Sequence, residues 1–266
     1  MELLKVILLG VIQGLTEFLP VSSSGHLIIF QQWFGINEAA LSLDVVLHLG
    51  TLFSVLFYYQ KRIRTMLKKP FSRYNMLILL TAVPAGIVGV LFSDFFKSVY
   101  ASANLLGPAF LFTAVVLYLS SLAESKNTIG YMGKTRDNVG VLDILFIGLM
   151  QCLAIFPGIS RSGSTISAGL FRNVNKEIAA EISFLNSIIL ILGANVLEVP
   201  ALLSGNINIS IVQLFAGFLA SALSGYLAIS FMIKLLQKHS LRPFAYYVAA
   251  LGLFILLDGS VLHLIF

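Results

Sequence analysis

GVIQGLTEFLPVSSSG, residues 10–25, decides how this 266-residue chain is read, because a second copy, GLMQCLAIFPGISRSG, stands at residues 148–163. At an offset of 138, identities fall at Gly10/Gly148, Gln13/Gln151, Leu15/Leu153, Phe18/Phe156, Ser22/Ser160, Ser24/Ser162 and Gly25/Gly163. Ungapped matches at glutamine, glycine and serine mark an internal repeat, and a repeat constrains architecture before any other motif does. Each copy is an apolar run (2–18 and 141–156) that breaks at a proline followed by serines and glycine. Each then resumes as a shorter apolar piece, 27–34 and 166–171. That pattern predicts two re-entrant helical hairpins. Irregular backbone at membrane depth is tolerated only where protein buries it or it lines a wet cavity.

Composition places the repeat in a membrane. Hydrophobic residues make up 58% of the chain, charged residues 11%, and the mean hydropathy is +0.94. A soluble chain carries about 25% charged residues, so an ordinary cytosolic enzyme, a disordered protein and a nucleic-acid binder are excluded. A single cysteine, Cys152, excludes an intramolecular disulfide and a cysteine-built zinc site. Six further stretches, 41–59, 76–92, 105–122, 182–199, 211–236 and 244–266, fit the roughly 20 apolar residues that a complete span needs. The first apolar run is not read as a signal peptide, because Glu2 sits in its charged region and no small-residue cleavage site follows.

The basic residues test this layout. With both broken segments re-entrant, the connections 61–75, 123–181 and 237–243, with Lys234 at a helix end, carry fourteen of the seventeen lysines and arginines. Lys5 and Lys97 fall on the other face, and Arg161 lies inside the second break. The positive-inside rule makes the basic face cytoplasmic and both termini external. The net charge of +5 is therefore a topology signal. The expected fold is an all-α integral membrane protein, a polytopic helical bundle forming a single membrane domain over 1–266. Repeat 1 covers about 1–122, repeat 2 about 141–266, and a cytoplasmic loop, 123–140, connects them. Three complete spans separate the copies, so the second is inverted, and inverted repeats with broken helices set a polar site where they meet.

Gly10, Gln13, Gly14 and Glu17 share one helix face. A carboxylate placed there costs roughly 2.5–3.5 kcal/mol on insertion scales, which makes Glu17 a functional candidate by default. The plain alternative is an interhelical hydrogen bond or an interfacial position. The first break supplies Ser22, Ser23, Ser24, Gly25 and His26, and the second Ser160, Arg161, Ser162, Ser164 and Thr165. Hydroxyls and free backbone N–H groups before a short helix suit an anion, and the planar fork of Arg161 suits phosphate oxygens. The alternative for Arg161 is a structural arginine at a capped helix start. Glu17, Ser23, His26 and Arg161 together offer a carboxylate, a nucleophile, a general acid or base and an electrostatic clamp. His48, Asn195, Glu198 and Asp258 are weaker candidates, for which an interhelical bond or an interfacial place is at least as good a reading; His239 and His263 read as loop or membrane-edge residues.

QGLTEFLPVSSSGH and PGISRSGST closely resemble the motifs of the undecaprenyl pyrophosphate phosphatases of the bacitracin-resistance family. The likeness covers essentially the whole chain and includes LHLGT and EISFL. The family's [E/Q]-x-x-x-E element falls on Gln13 and Glu17, its serine–glycine–histidine element on Ser22, Ser23, Gly25 and His26, and P-G-x-S-R-S-x-x-T on Pro157, Gly158, Ser160, Arg161, Ser162 and Thr165. Gln13 stands where many members have glutamate, which removes one carboxylate ligand or base. The resemblance implies hydrolysis of undecaprenyl pyrophosphate to the monophosphate and inorganic phosphate at the outer face of the cytoplasmic membrane. It implies recycling of the carrier lipid for wall polysaccharide, resistance to bacitracin (which competes for the pyrophosphate), and a divalent cation, Mg2+ or Ca2+, on Glu17 and Gln13. The expected roles are catalysis by Glu17, Ser23, His26 and Arg161, and phosphate binding by Ser22, Ser160, Arg161, Ser162 and Thr165. The partners are the polyprenyl pyrophosphate lipid and the membrane, with no nucleic acid; a homodimer is compatible with the pattern. The competing class is an inverted-repeat transporter or flippase of a phosphorylated lipid or anion. A structural subunit explains neither Glu17 nor Arg161.

Overall fold

The computed structural model describes residues 2–36, 40–102, 104–126, 133–204, 209–262 and 264–265. Among these the chain forms α1 (Leu3–Phe18), α2 (Ser23–Phe34), α3 (Ala40–Tyr58), α4 (Gln60–Lys68), α5 (Arg73–Leu91) and α6 (Ser93–Ser102). The remainder is α7 (Leu106–Lys126), α8 (Val141–Leu153), α9 (Arg161–Phe171), α10 (Lys176–Ser204), α11 (Ile211–Lys238) and α12 (Arg242–Leu257), extended by a π-turn at Asp258–Leu262. The helices α5, α7, α10, α11 and α12 are each long and apolar enough to cross a bilayer. A sixth crossing forms if α3 is taken with α4, which bends from it by 75°. These five and α3 fall on the six expected spans, and the protein is a multi-pass helical membrane bundle. Large apolar side chains face outward, Leu142 at 73% and Leu223 at 68% exposure among them, as a lipid-facing surface requires.

Three local features differ from the sequence pattern. The connection 61–75 contains a helix, α4, with no buried residue; Lys61, Arg64 and Lys68 alternate there with Ile63, Met66 and Leu67, the composition of an interfacial helix. The second arms of the hairpins begin earlier than 27 and 166, at Ser23 and Arg161. Apolar periodicity could not see this, because the first turn of each helix is polar. The last span ends as an α-helix at Leu257, and His263 lies outside the described residues.

Packing follows the repeat. α1 packs along α11 as α8 packs along α5, α3 meets α11 as α10 meets α5, and the pairs α3–α10 and α7–α12 each join equivalent helices of the two repeats. Equivalent glycines permit the two close crossings. A Cβ on Gly10 would sit 2.6 Å from the Gly217 carbonyl oxygen, and one on Gly148 would sit 2.9 Å from that of Thr81. Small residues at such seams let helix backbones approach where no hydrophobic force drives helices together in lipid. The buried core joins both repeats through Phe18 and Phe184, edge to face at 5.5 Å. On the basic face, Lys134 and Arg172 flank Asp143, and Arg62 and Arg136 flank Glu181.

Candidate active site

Each hairpin turns through a capped helix start. Ser22 and Ser160, at equivalent positions, are the N-caps of α2 and α9. Their hydroxyls accept from the backbone N–H of Gly25 (3.4 Å) and Gly163 (3.0 Å), satisfying donors that a helix start leaves orphaned. Ser22 takes φ +69°, a left-handed conformation that a residue with a Cβ holds only under constraint from its surroundings. The next residue in each copy is the first of its helix: Ser23 in one, Arg161 in the other. The caps therefore fix a hydroxyl and a guanidinium at equivalent places in two repeats that face each other.

Glu17, in the last turn of α1, joins them. Its Oε1 accepts from Arg161 Nη2 at 2.6 Å, and its Oε2 from Ser23 Oγ at 2.6 Å and Gln13 Nε2 at 3.0 Å. The second guanidinium arm, Nη1, donates to the Ser183 carbonyl at 3.1 Å. Glu17 is buried and Arg161 nearly so. Charge-assisted bonds of this length are the strong class, and breaking a buried pair by removing one partner leaves an uncompensated charge. The breaks themselves touch, for Ser162 Oγ donates to the Leu19 carbonyl at 3.0 Å.

The remaining sequence candidates sit around this centre. Thr165 Oγ1 lies 2.8 Å from the Arg161 carbonyl and 2.7 Å from the Ser183 hydroxyl, so it braces the residue whose carbonyl holds Arg161. Ser160 and Ser162 direct their hydroxyls to backbone groups in the same way. His26 Nδ1 is 2.7 Å from the Ser22 carbonyl, so that nitrogen carries the hydrogen. Its Nε2 accepts from the Tyr247 hydroxyl at 2.8 Å, with the two rings stacked at 5.8 Å. Asp258 is apart from the centre, accepting from the backbone N–H of Leu264 and Ile265, and Asn195 is buried with its Nδ2 unpartnered.

Three contributors escaped the sequence reading. Ser183 and Tyr247 carry no signal beyond being polar residues in apolar helices. Asp44 had one: like Glu17 it is a carboxylate in an apolar stretch, and it stands one helical turn before His48. Its Oδ1 accepts from Gln31 Nε2 at 2.6 Å. His48, judged weak from sequence, brings Nε2 to 4.0 Å from Glu17 Oε2.

A divalent cation fits the residues present. Gln13 Oε1 is buried and has no hydrogen-bond partner, and the same side chain adjoins Glu17. An amide oxygen beside a carboxylate is a hard donor pair of the kind Mg2+ and Ca2+ take, and Mg2+ in particular binds through one or two carboxylates plus substrate phosphates and water.

Known proteins resemble this chain along nearly its whole length. The family model described as bacitracin resistance protein BacA matches residues 6–254. An undecaprenyl-diphosphatase of Carboxydothermus hydrogenoformans is 42% identical over 259 residues, covering 96% of this chain and 97% of that protein. Those of Halothermothrix orenii (42% over 264 residues, 98% and 100% coverage) and Methanobrevibacter smithii (39% over 286 residues, 99% and 100%) are likewise similar along their whole length. With a match from the first hairpin to the last helix, this chain belongs to the bacitracin resistance protein BacA family.

Proposed function

We propose that this protein is an undecaprenyl-diphosphatase, a membrane phosphatase that hydrolyses undecaprenyl pyrophosphate to undecaprenyl phosphate and inorganic phosphate. The lipid carrier is thereby recycled for cell-wall polysaccharide synthesis, and bacitracin, which sequesters the same pyrophosphate, competes with the enzyme for it. The observation that carries this reading is the cross-repeat contact of Ser23, Glu17 and Arg161. A transporter of an anionic lipid needs the guanidinium, but it has no use for a hydroxyl held 2.6 Å from a buried carboxylate. In the membrane reading, the protein lies in the cytoplasmic membrane with its fourteen-residue basic face inside. Both termini and the mouth of the site are then external.

Arg161 and the N–H groups at the start of α9 hold the pyrophosphate, which competes with Glu17 for the guanidinium and loosens the Glu17–Arg161 pair. Glu17, so released, takes the proton of Ser23 as Oγ bonds to the terminal phosphorus. The bond from that phosphorus to the bridging oxygen breaks, and undecaprenyl phosphate leaves with the electron pair. Water then attacks the phosphoserine, inorganic phosphate departs with the water's oxygen, and Glu17 returns its proton to Ser23 Oγ. Ser22, Ser160, Ser162 and Thr165 serve phosphate binding by fixing the two helix starts and Arg161. His26 acts through Tyr247, because both of its nitrogens are engaged. A divalent cation, Mg2+ or Ca2+, held through Glu17 and Gln13, supplies neutralisation of the phosphate charge. Rapid quench with substrate labelled in its terminal phosphate tests the scheme: label is expected on Ser23. Turnover near normal in Ser23→Ala would remove serine as the nucleophile.

A further inference from the structure

The two repeats differ at one point that bears on how the cation is held. In repeat 2, Gln151 Oε1 accepts from Asn186 Nδ2 at 2.6 Å, so these two side chains bond each other. At the same offset, repeat 1 has Gln13 and His48, and the equivalent of Glu17 in repeat 2 is Ile155. In repeat 1 the amide oxygen is not taken up: Gln13 Oε1 is buried with no hydrogen-bond partner. His48 Nδ1 lies 2.7 Å from the Asp44 carbonyl, a contact that only a ring N–H can make. That bond fixes the ring and turns Nε2 toward the site. Nε2 stands 4.0 Å from Glu17 Oε2, beyond hydrogen-bond reach. Repeat 1 thus brings the Gln13 amide and the His48 imidazole to Glu17, where the equivalent positions of repeat 2 hold a glutamine and an asparagine that bond each other, and an isoleucine.

We infer that His48 is a ligand, through Nε2, of the divalent cation at Glu17 and Gln13. The inference rests on the phosphatase reading and its cation. Two observations favour it. A metal-bound histidine almost always donates its other ring N–H to a backbone carbonyl or carboxylate, as His48 does to Asp44. His48 Nε2 faces Glu17 Oε2 at 4.0 Å, too far for the two to bond each other, so that nitrogen would be open to a cation held at Glu17. Among the described residues no group of three His, Cys, Asp or Glu side chains is placed to hold a metal, so phosphates and water would have to supply the remaining ligands. Mn2+ shares the oxygen preference of Mg2+ and Ca2+ and is paramagnetic, so it serves as the probe of this site.

The test uses the full-length protein in detergent with Mn2+ alone, read by pulsed electron paramagnetic resonance after [15N]histidine labelling. Histidine 15N coupling to Mn2+ is expected in the native chain and in His26→Asn, and is expected to vanish in His48→Asn. The last variant copies repeat 2 and is expected to keep the native Tm, while Mn2+ affinity falls by at least about tenfold. His48→Gln, which preserves side-chain reach, gives a second reading should the asparagine variant fold poorly. Histidine coupling that persists in the folded His48 variants, or Mn2+ bound by the native chain without it, overturns the inference while leaving the cation at Glu17. Phosphate release unaffected by chelators, with no Mn2+ bound at all, would instead strike the cation reading itself.

Discussion

At Glu17 and Arg161 a single contact carries the account, and its energetics set the expected losses. Arg161→Lys keeps the charge but removes the fork that spans Glu17 and the Ser183 carbonyl. It is expected to lower kcat/KM by about 10²–10³-fold, the scale of a lost transition-state donor. Glu17→Gln removes the acceptor for the Ser23 proton, and a kcat loss of about 10²–10⁴-fold is expected in the same phosphate-release assay. If either variant retained near-native turnover, the pair would be structural. Both residues were legible in the sequence because a charge in an apolar segment demands a reason. The use of the hydroxyls was not. Spacing brought Ser160, Ser162 and Thr165 to the right break, but it could not say that their side chains would face backbone groups and Ser183. Asp44 was legible by the rule that found Glu17, a carboxylate in an apolar stretch.

Among the elements, the close crossings of α1 on α11 and α8 on α5 hold the hairpins in place. Gly10→Leu drives a side chain into the Gly217 carbonyl and is expected to destabilise the fold by at least about 1–3 kcal/mol. The readout is a lower Tm in detergent; an unchanged Tm would mean that the seam has slack. α5 continues through Pro84, and Gln151 Nε2 donates to the Thr81 carbonyl at 3.2 Å in the turn that the proline interrupts. Gln151→Leu leaves that carbonyl and Asn186 without this partner and is expected to cost about 1–3 kcal/mol, again seen in Tm. The hairpin breaks were visible as Pro-Ser-Gly clusters. The first turns of α2 and α9 were not, since polar residues that cap and start a helix leave no apolar periodicity to detect. The amphipathic α4 was likewise hidden among what counted as connecting basic residues.

For the whole molecule, the repeat offset was enough to place a polar site between the two breaks, because inverted repeats with broken helices meet there. What the offset could not give is which non-equivalent residues, such as Tyr247 and Ser183, complete the surroundings, since those contacts exist only after the helices pack. Orientation is a separate prediction. In a Cys152→Ser background, a Glu2→Cys variant is expected to react with a membrane-impermeant maleimide from outside intact cells and Lys69→Cys is not; the reverse pattern would invert the topology. The central claim is that the junction of the repeats is a phosphatase centre, and phosphate release from undecaprenyl pyrophosphate by the purified protein in detergent, with Mg2+ or Ca2+ present, tests it most directly. Release by the native chain and its loss in Glu17→Ala and Arg161→Ala are the expected result. No release by the native chain, together with counterflow of the lipid in liposomes, would contradict the account and make this junction a transport site.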